Sequence, residues 1–579
     1  MLTKNEPVAI PVQRGCALLS DAAIAAGVNL DLRCGGNGIC KRCEVIWEEK
    51  RVLACQVGAE RDGVMQIPPT SLVSEEFAVE SAFTPPAPRP AQPRCKRVVA
   101  NVPPARELPG VSDWERLCRI LFVPNDVPSV GADLLRKLPP IIEIGHPVRV
   151  TVLDDVVVDI EDATHAEKPV LGLAVDVGTT TVVARLIDMS NGEQLAIAGA
   201  QNRQVSLGAN VISRIDLGSR ARGLTLLTRM INEKTILPLL EKCRIQANRP
   251  SDPIHRLIAG GNTAMTHLLL GLPPNGLGVM PFNAVTLTPD PVPGSMLKLP
   301  AERLECLPCA GAYVGGDIVG GIYALGLDRP GPPELLIDIG TNSEMVLRIG
   351  GKLLAASAPA GPAFEGGGLT CGGPASPGAI THLRLTDNGF ELETYKNSAP
   401  THVCGSAYID FLAEGRKHGY LTQHGRFERE PLKAHNAQLI VEQKRGSHVS
   451  QRVTLAGDVS IDEHDISLLL QAKAAVHSGA LILLRAGGIA PSELNALHVA
   501  GGFGRHLNSQ NSIRAGLLLD IALERIHVAG NTSLSACSCA LLNGRAEWEM
   551  REIARRVKIV ELNLEPDFEE QYINALLLP

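Results

Sequence analysis

The sequence of 579 residues is poor in aromatic side chains, which make up only 3% of it, and it contains no long apolar run. No stretch approaches the roughly 18 uninterrupted apolar residues that a membrane-spanning helix needs. Residues 1–15 lack a continuous apolar core behind basic residues, so we expect no secretory signal. The protein is therefore predicted to be soluble and cytoplasmic, with no membrane partner.

The chain also lacks an excess of basic charge. Its formal net charge is −7, its isoelectric point is about 6.1, and its Lys and Arg residues are scattered. A nucleic-acid-binding surface needs a concentrated basic patch, so we expect no nucleic-acid partner. The 45% of hydrophobic residues can fill several cores, which excludes a disordered or fibrous protein.

Four of the 14 cysteines cluster near the N-terminus with the spacing Cys-x5-Cys-x2-Cys-x11-Cys, namely Cys34, Cys40, Cys43 and Cys55. The first three lie in the glycine-rich segment RCGGNGICKRC, and the last two bracket a predicted hairpin of EVIW and RVLA. Four thiolates around one loop are the ligand set of a [2Fe–2S] cluster, a one-electron carrier. The spacing resembles a five-residue variant of the ferredoxin pattern. A zinc site and unliganded thiols remain alternatives.

Composition divides the chain into parts. Residues 84–95 are proline-rich and are predicted to form an extended, semi-rigid linker. The predicted parts are, in order, an α+β [2Fe–2S] ferredoxin-like domain (1–83), the proline-rich linker (84–95), an intermediate domain (96–165) and a large two-lobed α/β domain (166–579) with lobes of about 166–333 and 334–579.

Two apolar strands end in nearly the same tetrapeptide, in LGLAVDVGTTT at 171–181 and in ELLIDIGTNSE at 334–344. Their aspartates lie 162 residues apart, which predicts a duplicated α/β domain. Each aspartate could hold Mg²⁺ through water, while the following hydroxyl and N–H groups cradle phosphate, so the two loops could clamp a triphosphate. The candidate residues are Asp176, Gly178, Thr179, Thr180 and Thr181 in the first loop and Asp338, Gly340, Thr341 and Asn342 in the second.

A third segment, LHVAGGFGRHLN, predicts a strand that runs into Gly501, Gly502 and Gly504. Missing side chains there would let adenosine lie against the backbone, although a tight turn is the alternative. This segment follows the two predicted phosphate loops along the chain. Together the three segments resemble the nucleotide site of the acetate/sugar kinase, chaperone and actin superfamily. No Gly-x4-Gly-Lys-Ser/Thr loop supports another nucleotide-binding fold.

Further segments resemble one branch of that superfamily, the reductive activators of corrinoid proteins. They are AGGNTAMTH at 259–267, SAPAGPAFEGGG at 357–368, CGSAYIDFLAEG at 404–415 and NRQVSLGANVISRI from Asn202. The resemblance covers nearly the whole chain and implies an ATP-hydrolysing electron-transfer enzyme whose nucleotide site includes Gly405 and Ser406. It also implies that Co(II) is reduced to Co(I) on a corrinoid methyl-carrier partner, with an external low-potential electron donor and a homodimeric assembly.

Two other functions remain open: a small-molecule kinase of the same superfamily with a regulatory cluster, and an ATP-dependent activator of another low-potential enzyme. Some residues are weaker candidates. We expect Cys306, Cys309, Cys537 and Cys539 to be buried soft side chains rather than a second metal site. His267 and His498 are expected to be core histidines, and Glu365 either orients a water or shapes its loop.

Overall fold

The structure is a computed structural model, and it describes residues 7–26, 28, 30–32, 38, 42–68, 71–72, 87–89, 92–123, 126–208, 210–443, 449–502 and 504–579. Cys34 and Cys40, two of the predicted cluster ligands, lie outside these described residues. Cys43 and Cys55 lie within them.

The N-terminal part is a four-stranded sheet with strand order β1-β4-β2-β3 and one helix packed on it. Its elements are β1 (Val8–Val12), α1 (Leu19–Ala25), β2 (Glu44–Trp47), β3 (Lys50–Leu53) and β4 (Gly63–Ile67). Leu19 of the helix meets Val45 and Met65 of the sheet in a small core, and all three are fully buried. The α+β class predicted for this part is confirmed.

The next part is an antiparallel sheet of order β5-β6-β7 covered by short helices. Its elements are β5 (Cys95–Ala100), α2 (Asp113–Leu121), α3 (Ala132–Leu135), α4 (Leu138–Glu143), β6 (Val148–Leu153) and β7 (Val156–Asp162). Leu117, Leu138 and Val150 join helices and sheet in one core. Cys95, which composition places in the linker, already begins β5.

The first lobe has a five-stranded sheet of order β10-β9-β8-β11-β12. Its strands are β8 (Leu171–Val177), β9 (Thr181–Asp188), β10 (Gln194–Gln201), β11 (Ile254–Gly261) and β12 (Ala301–Cys306). Its helices are α5 (Val211–Gly218), α6 (Ala221–Ile231), α7 (Leu237–Gln246), α8 (Thr263–Leu270) and α9 (Gly316–Leu325).

The second lobe has a six-stranded sheet of order β23-β22-β13-β14-β15-β24 and two three-stranded sheets, β17-β16-β18 and β19-β20-β21. The strands are β13 (Gly331–Ile339), β14 (Ser343–Gly350), β15 (Lys352–Ala358), β16 (Ala379–Thr386), β17 (Gly389–Thr394), β18 (His402–Val403), β19 (Leu439–Gln443), β20 (Val449–Ala456), β21 (Val459–Asp462), β22 (Ala496–Ala500), β23 (Ile526–Gly530) and β24 (Val557–Ile559). The helices are α10 (Gly405–Lys417), α11 (Arg429–Ala434), α12 (Glu463–Gly487), α13 (Ser509–Arg514), α14 (Thr532–Leu542), α15 (Ala546–Arg556) and α16 (Phe568–Ala575).

The two large sheets share one topology. In each, three antiparallel strands (β8-β9-β10 and β13-β14-β15) are followed by two strands parallel to the first, β11 and β12 in one lobe and β22 and β23 in the other. The predicted duplicated α/β fold is confirmed. Asp176 and Asp338 occupy equivalent places near the ends of the central strands β8 and β13.

The division between the lobes is less simple than the strand pattern predicts. Helix α14, from the C-terminal half, packs against α9, β8 and β11 of the first lobe. Its Leu534 and Cys537 share one buried core with Ile258, Ile318 and Ile322. The C-terminal half therefore contributes to both sides of the cleft.

Part of the predicted linker is bound to the first lobe. The Ala87 backbone N–H donates to the Ala324 carbonyl at 2.8 Å. The Arg89 guanidinium forms an ion pair with Asp328 at 2.6 Å and lies 3.7 Å from the centre of the Tyr323 ring. Long-range contacts therefore fix residues 87–89, instead of leaving them as a spacer.

A buried ion network holds the intermediate part to the first lobe. Arg94 is only 4% exposed and pairs with Glu305, which is 5% exposed, at 3.0 Å. Asp154, in the turn between β6 and β7, accepts from Arg94 at 3.2 Å and from Arg256 at 3.1 Å. Arg94 and Glu305 thus pair away from water, and Asp154, which is 36% exposed, adds a third segment to the network at its edge. These pairs fix the relative position of the three segments.

Helix α12, 25 residues long, is apolar enough to cross a membrane by length and composition alone. However, 72% of its apolar window is buried inside the molecule. It packs on β14, β15 and α16, as the core helix of a globular lobe does.

We predict that Glu305→Ala lowers the free energy of unfolding by about 3–5 kcal/mol, because the Arg94 charge would be left buried without its main partner. Urea denaturation of the full chain measures this effect. The control is Glu391→Ala, which removes an exposed pair with Arg384 and should cost less than about 1 kcal/mol. Equal effects of the two substitutions would contradict the structural role assigned to the network.

Candidate functional site

A cleft opens where the central strands of the two large sheets end. Its enclosed volume is about 230 Å³, and it continues into open solvent. The sequence-predicted residues that line it are Asp176, Gly178, Thr179, Thr180, Thr181, Asp338, Gly340, Thr341, Asn342, Gly405, Ser406, Gly501 and Gly502. Gly504 lies in the following 3₁₀ turn and is not among the lining residues.

The two predicted phosphate loops touch across the cleft. The hydroxyl oxygens of Thr180 and Thr341 are 3.2 Å apart. Glu365 accepts from the Thr341 backbone N–H at 3.1 Å and from its hydroxyl at 2.9 Å. Because the Thr341 hydroxyl donates to Glu365, the Thr180 hydroxyl must be the donor to Thr341. Glu365 therefore anchors the second loop, one of the two roles considered from sequence.

Two asparagine side chains form hydrogen bonds to the first loop. The Asn202 side-chain amide donates to the Gly178 carbonyl at 2.9 Å. The Asn262 amide donates to the Thr179 hydroxyl at 3.2 Å, while its oxygen accepts from Met265 N and caps α8. These bonds hold the loop backbone in position before any ligand arrives.

Sequence reasoning missed a second repeated signal, the segment Gly-Asn-Thr that follows strands β11 and β23. Asn262 and Asn531 each come directly after their strand, accept from a backbone N–H three residues on and cap the start of a helix. The Asn531 amide donates to the Asp176 carboxylate at 2.8 Å. The paired Gly-Asn-Thr segments could have located both residues in the same way as the paired Asp-x-Gly-Thr segments.

Four carboxyl groups line the cleft, those of Asp176, Asp317, Asp338 and Glu344. Burial raises the pKa of Asp176, partly offset by hydrogen bonds from Asn531 and Ser533. Burial also raises the pKa of Asp317 to about 7 and that of Asp338 to about 8, and neighbouring carboxylates add to both rises. Burial likewise raises the pKa of Glu344. A bound cation would reverse this preference for the neutral forms, since it compensates each carboxylate charge.

These carboxyl groups do not form a ready metal cage. Within the part of the chain that the structure describes, no three His, Cys, Asp or Glu side chains converge closely enough to hold a metal ion. Mg²⁺ usually keeps several waters and binds through one or two carboxylates together with substrate phosphates. Asp176 and Asp338 suit that role and remain predictions as Mg²⁺ partners.

The third loop is built around a position that needs glycine. Gly501 has φ +93°, and a Cβ there would lie 2.6 Å from both the Asp338 carboxylate and the Ile339 carbonyl. A Cβ on Gly502 would meet no atom within 4 Å. Gly501 therefore permits β22 and β13 to approach at the cleft, whereas Gly502 leaves open space for a ligand.

The hairpin of β2 and β3 brings the described cluster cysteines together. The sulfur atoms of Cys43 and Cys55 are 3.3 Å apart, and both side chains are buried. The Ala54 N–H donates to the Cys43 carbonyl at 2.9 Å, which closes the hairpin end. Two buried thiols at this separation fit a shared iron–sulfur centre, while the contribution of Cys34 and Cys40 stays a prediction.

Of the other cysteines considered from sequence, Cys309 and Cys537 are buried, whereas Cys306 and Cys539 are half-buried. Burial raises the pKa of Cys309 and of Cys539 to about 11, and it also raises the pKa values of Cys306 and Cys537. The Cys537 sulfur donates to the Val175 carbonyl. These thiols pack the core of the first lobe and, among the described residues, form no three-membered metal cluster.

The two histidines considered from sequence are held by structural bonds. His267 is fully buried, with Nδ1 donating to the Thr263 carbonyl at 2.7 Å and Nε2 accepting from Val285 N at 3.0 Å. His498 contacts Glu334 at 2.9 Å. Neither residue is among those lining the cleft.

A duplicated fold with a cleft between two Asp-x-Gly-Thr loops defines a protein of the actin-like, sugar kinase ATPase class. Family models agree: residues 171–330 match the RACo middle region, and residues 333–579 match the C-terminal domain of RACo, the ASKHA domain. A solved structure titled reductive activator for corrinoid, iron–sulfur protein superimposes with a TM-score of 0.76 at 29% identity, covering 98% of this chain and 96% of that one.

Two curated relatives are also named for activity on corrinoid proteins. The corrinoid activation enzyme RamQ of Eubacterium limosum is 29% identical over 96% of this chain and 95% of its own length. The [Co(II) methylated amine-specific corrinoid protein] reductase of Methanosarcina barkeri is 24% identical over 67% of this chain and 72% of its own length. The chain belongs to the family of reductive activators of corrinoid proteins, which confirms the resemblance read from its sequence.

We predict that the two adjacent glycines respond differently to alanine. Gly501→Ala should destabilise the protein by about 1–3 kcal/mol, because it combines an unfavourable φ with backbone overlap. Gly502→Ala should leave stability unchanged but weaken ATP binding if adenosine lies against this backbone. Thermal unfolding and calorimetric titration of both variants measure these effects. Unchanged ATP affinity in Gly502→Ala would remove Gly502 from the nucleotide site.

We predict that Asp338→Asn stabilises the nucleotide-free protein, with a gain that grows as pH rises from 5 to 8. The buried carboxyl keeps its proton up to about pH 8, whereas the unfolded chain releases it near pH 4. Stability is thus lost with rising pH across this window, by up to about 1.4 kcal/mol per pH unit. Urea denaturation at several pH values tests this. Asp290, 94% exposed, supplies the Asp290→Asn control, and a pH-independent gain would contradict the prediction.

Proposed function

We propose that the protein is an ATP-dependent reductive activator: it passes one electron from an N-terminal [2Fe–2S] cluster to the Co(II) centre of a corrinoid methyl-carrier protein, producing Co(I). A cluster held by Cys43 and Cys55 together with Cys34 and Cys40 would supply this electron, and an external low-potential donor would replace it. Family membership and the activities named for the two curated relatives support the proposal. The homodimeric assembly stays a prediction.

The observation that carries the proposal is the hydrogen bond between the Thr180 and Thr341 hydroxyls. It joins loops of the two lobes at one point, where a triphosphate could receive N–H and hydroxyl donors from both sides at once. A ligand held in this way favours one relative position of the lobes, because it stabilises whichever state makes more contacts with it. ATP would thereby act on the relative position of the two lobes.

The difference in reduction potential between the cluster and the Co(II) centre is the reason for a nucleotide in this proposal. A plant-type [2Fe–2S] centre has a potential near about −400 mV, and for a one-electron transfer each deficit of about 59 mV costs a factor of ten in the equilibrium constant. Reduction of Co(II) to Co(I) is uphill from such a donor. Closure of the cleft can offset the deficit if the closed form favours a complex in which cobalt has lost an axial ligand.

The chain's own residues would hold the cluster at the edge of the hairpin. Cys43 and Cys55 are buried beside one another at its open end, and the Gln56 amide donates to the Cys55 carbonyl at 2.9 Å, which fixes the backbone there. The group supplies a single electron at low potential when bound. Four thiolates complete the predicted ligand set with Cys34 and Cys40.

The proposed function is tested by visible spectroscopy of the anaerobically reduced protein mixed with a Co(II) corrinoid protein, with and without Mg-ATP. The Co(I) band should appear only with ATP. Co(I) formed at the same rate and extent without ATP would refute the ATP-dependent mechanism. No Co(I) with several corrinoid proteins, despite a reducible cluster, would favour the kinase or the activation of another low-potential enzyme.

We predict that Cys43→Ser abolishes or strongly diminishes the cluster's visible absorbance and the iron content per chain, because the oxygen ligand binds the cluster less well than thiolate. Cys16→Ser is the matched control, since Cys16 lies in the same domain and its sulfur donates to the nearby Leu18 carbonyl at 3.1 Å. Iron analysis and absorbance spectra measure the result. Unchanged iron in Cys43→Ser would remove Cys43 from the ligand set.

A further inference from the structure

One wall of the nucleotide cleft is a thin layer of chain with two faces. Its inner face includes Gly373, Pro374 and Ala375 together with Gly405 and Ser406 at the start of α10. We call residues 371–378 and 401–406 the cleft wall. The two segments are joined by backbone bonds, from Gly373 N to the Val403 carbonyl at 3.0 Å and from Thr401 N to the Gly378 carbonyl at 2.9 Å. Movement of one segment therefore affects the other.

The outer face of the cleft wall contacts the cysteine-bearing domain. The guanidinium of Arg42, which directly precedes Cys43 in the chain, donates to the Thr401 carbonyl at 2.7 Å. Burial raises the pKa of the Cys371 thiol, and the charge of Arg42 opposes that rise. Arg42 thus contacts one segment of the wall at Thr401, and its charge acts on Cys371 in the other.

Hydrogen bonds run from this contact to the inner face. The Thr401 hydroxyl lies 2.9 Å from Nδ1 of His402. Nε2 of the same ring lies 2.8 Å from the Pro374 carbonyl and 3.2 Å from the Ser376 hydroxyl. Because a carbonyl can only accept, Nε2 carries the proton and Nδ1 accepts from Thr401. The buried His402 imidazole therefore links Thr401, which accepts from Arg42, to Pro374, which lines the cleft.

We propose that Arg42 docks the cluster domain on the cleft wall in the nucleotide-free protein, and that a nucleotide bound at the inner face releases the domain. This inference rests on the proposed nucleotide site. A ligand that shifts Pro374 perturbs the hydrogen bond between Pro374 and His402. Because His402 is bonded to Thr401, the shift also displaces the Thr401 carbonyl to which Arg42 donates. Release presents the cluster to other proteins only when the cleft is filled.

The chain length permits such a release. Fourteen residues lie between Leu72, the last described residue of the cluster domain, and Ala87, which is bound to the first lobe. A chain of that length reaches at most about 50 Å when extended. The cluster can therefore leave the wall and still remain near it.

Coupling of this kind is reciprocal: if the nucleotide opposes docking, docking opposes the nucleotide by the same factor. Removal of the Arg42 contact should consequently tighten nucleotide binding, because the ligand no longer has to undo it. We expect the affinity of Arg42→Ala for Mg-AMPPNP to rise by about fivefold, at the lower end of usual coupling factors.

The test is hydrogen exchange of the full-length, anaerobically purified protein, with and without Mg-AMPPNP. In the wild type the nucleotide should slow exchange in residues 176–181 and 338–342 and speed it in residues 42–57. In Arg42→Ala exchange in 42–57 should already be fast and should not respond. Arg51→Ala is the control, because Arg51 is an exposed arginine of the same domain that pairs with Glu44, and it should behave as the wild type.

The outcomes separate this inference from the proposed function. Slower exchange in the phosphate loops with no change in 42–57 would overturn the docking inference alone. A response that persists in Arg42→Ala, or an unchanged nucleotide affinity in that variant, would overturn it as well. No effect of Mg-AMPPNP on the phosphate loops would defeat the nucleotide site and both proposals together.

Discussion

The contact between the two Asp-x-Gly-Thr loops is the interaction that joins the two lobes at the cleft. Thr180 and Thr341 meet at 3.2 Å because two sheets of the same topology face each other with their central strands ending at one point. Glu365 fixes the second loop, and Asn202 and Asn262 fix the first. The loop hydroxyls thus line one cleft together with carboxyl groups whose pKa values burial raises.

Local sequence patterns predicted the elements that such patterns control. Each Asp-x-Gly-Thr segment follows an apolar strand, and the hairpin between Cys43 and Cys55 is bounded by alternating strands, so periodicity and turn chemistry suffice. The fold class followed from the repeat. The Gly-Asn-Thr repeat was equally visible, and Asn531 would have been found from it.

Features that depend on distant residues were not predictable. The ion pairs of Arg89 with Asp328 and of Arg94 with Glu305 join positions more than 200 residues apart, so composition alone suggested a spacer where the chain is partly bound. Packing of α14 on the first lobe is of the same kind, because its apolar faces do not specify which sheet they cover. The domain boundaries therefore stay predictions, whereas the cleft does not depend on them.

If the two loops form a single binding unit, their threonine hydroxyls are energetically coupled, and a double-mutant cycle measures that coupling directly. Mg-ATP affinity would be measured by calorimetry for Thr180→Val, Thr341→Val and the double variant, each of which removes a hydroxyl at nearly constant size. We expect both single variants to bind more weakly and their free-energy losses to be non-additive by at least about 0.5 kcal/mol, since residues in one hydrogen-bonded network are coupled. Wild-type affinity in either single variant, or strict additivity, would contradict the account.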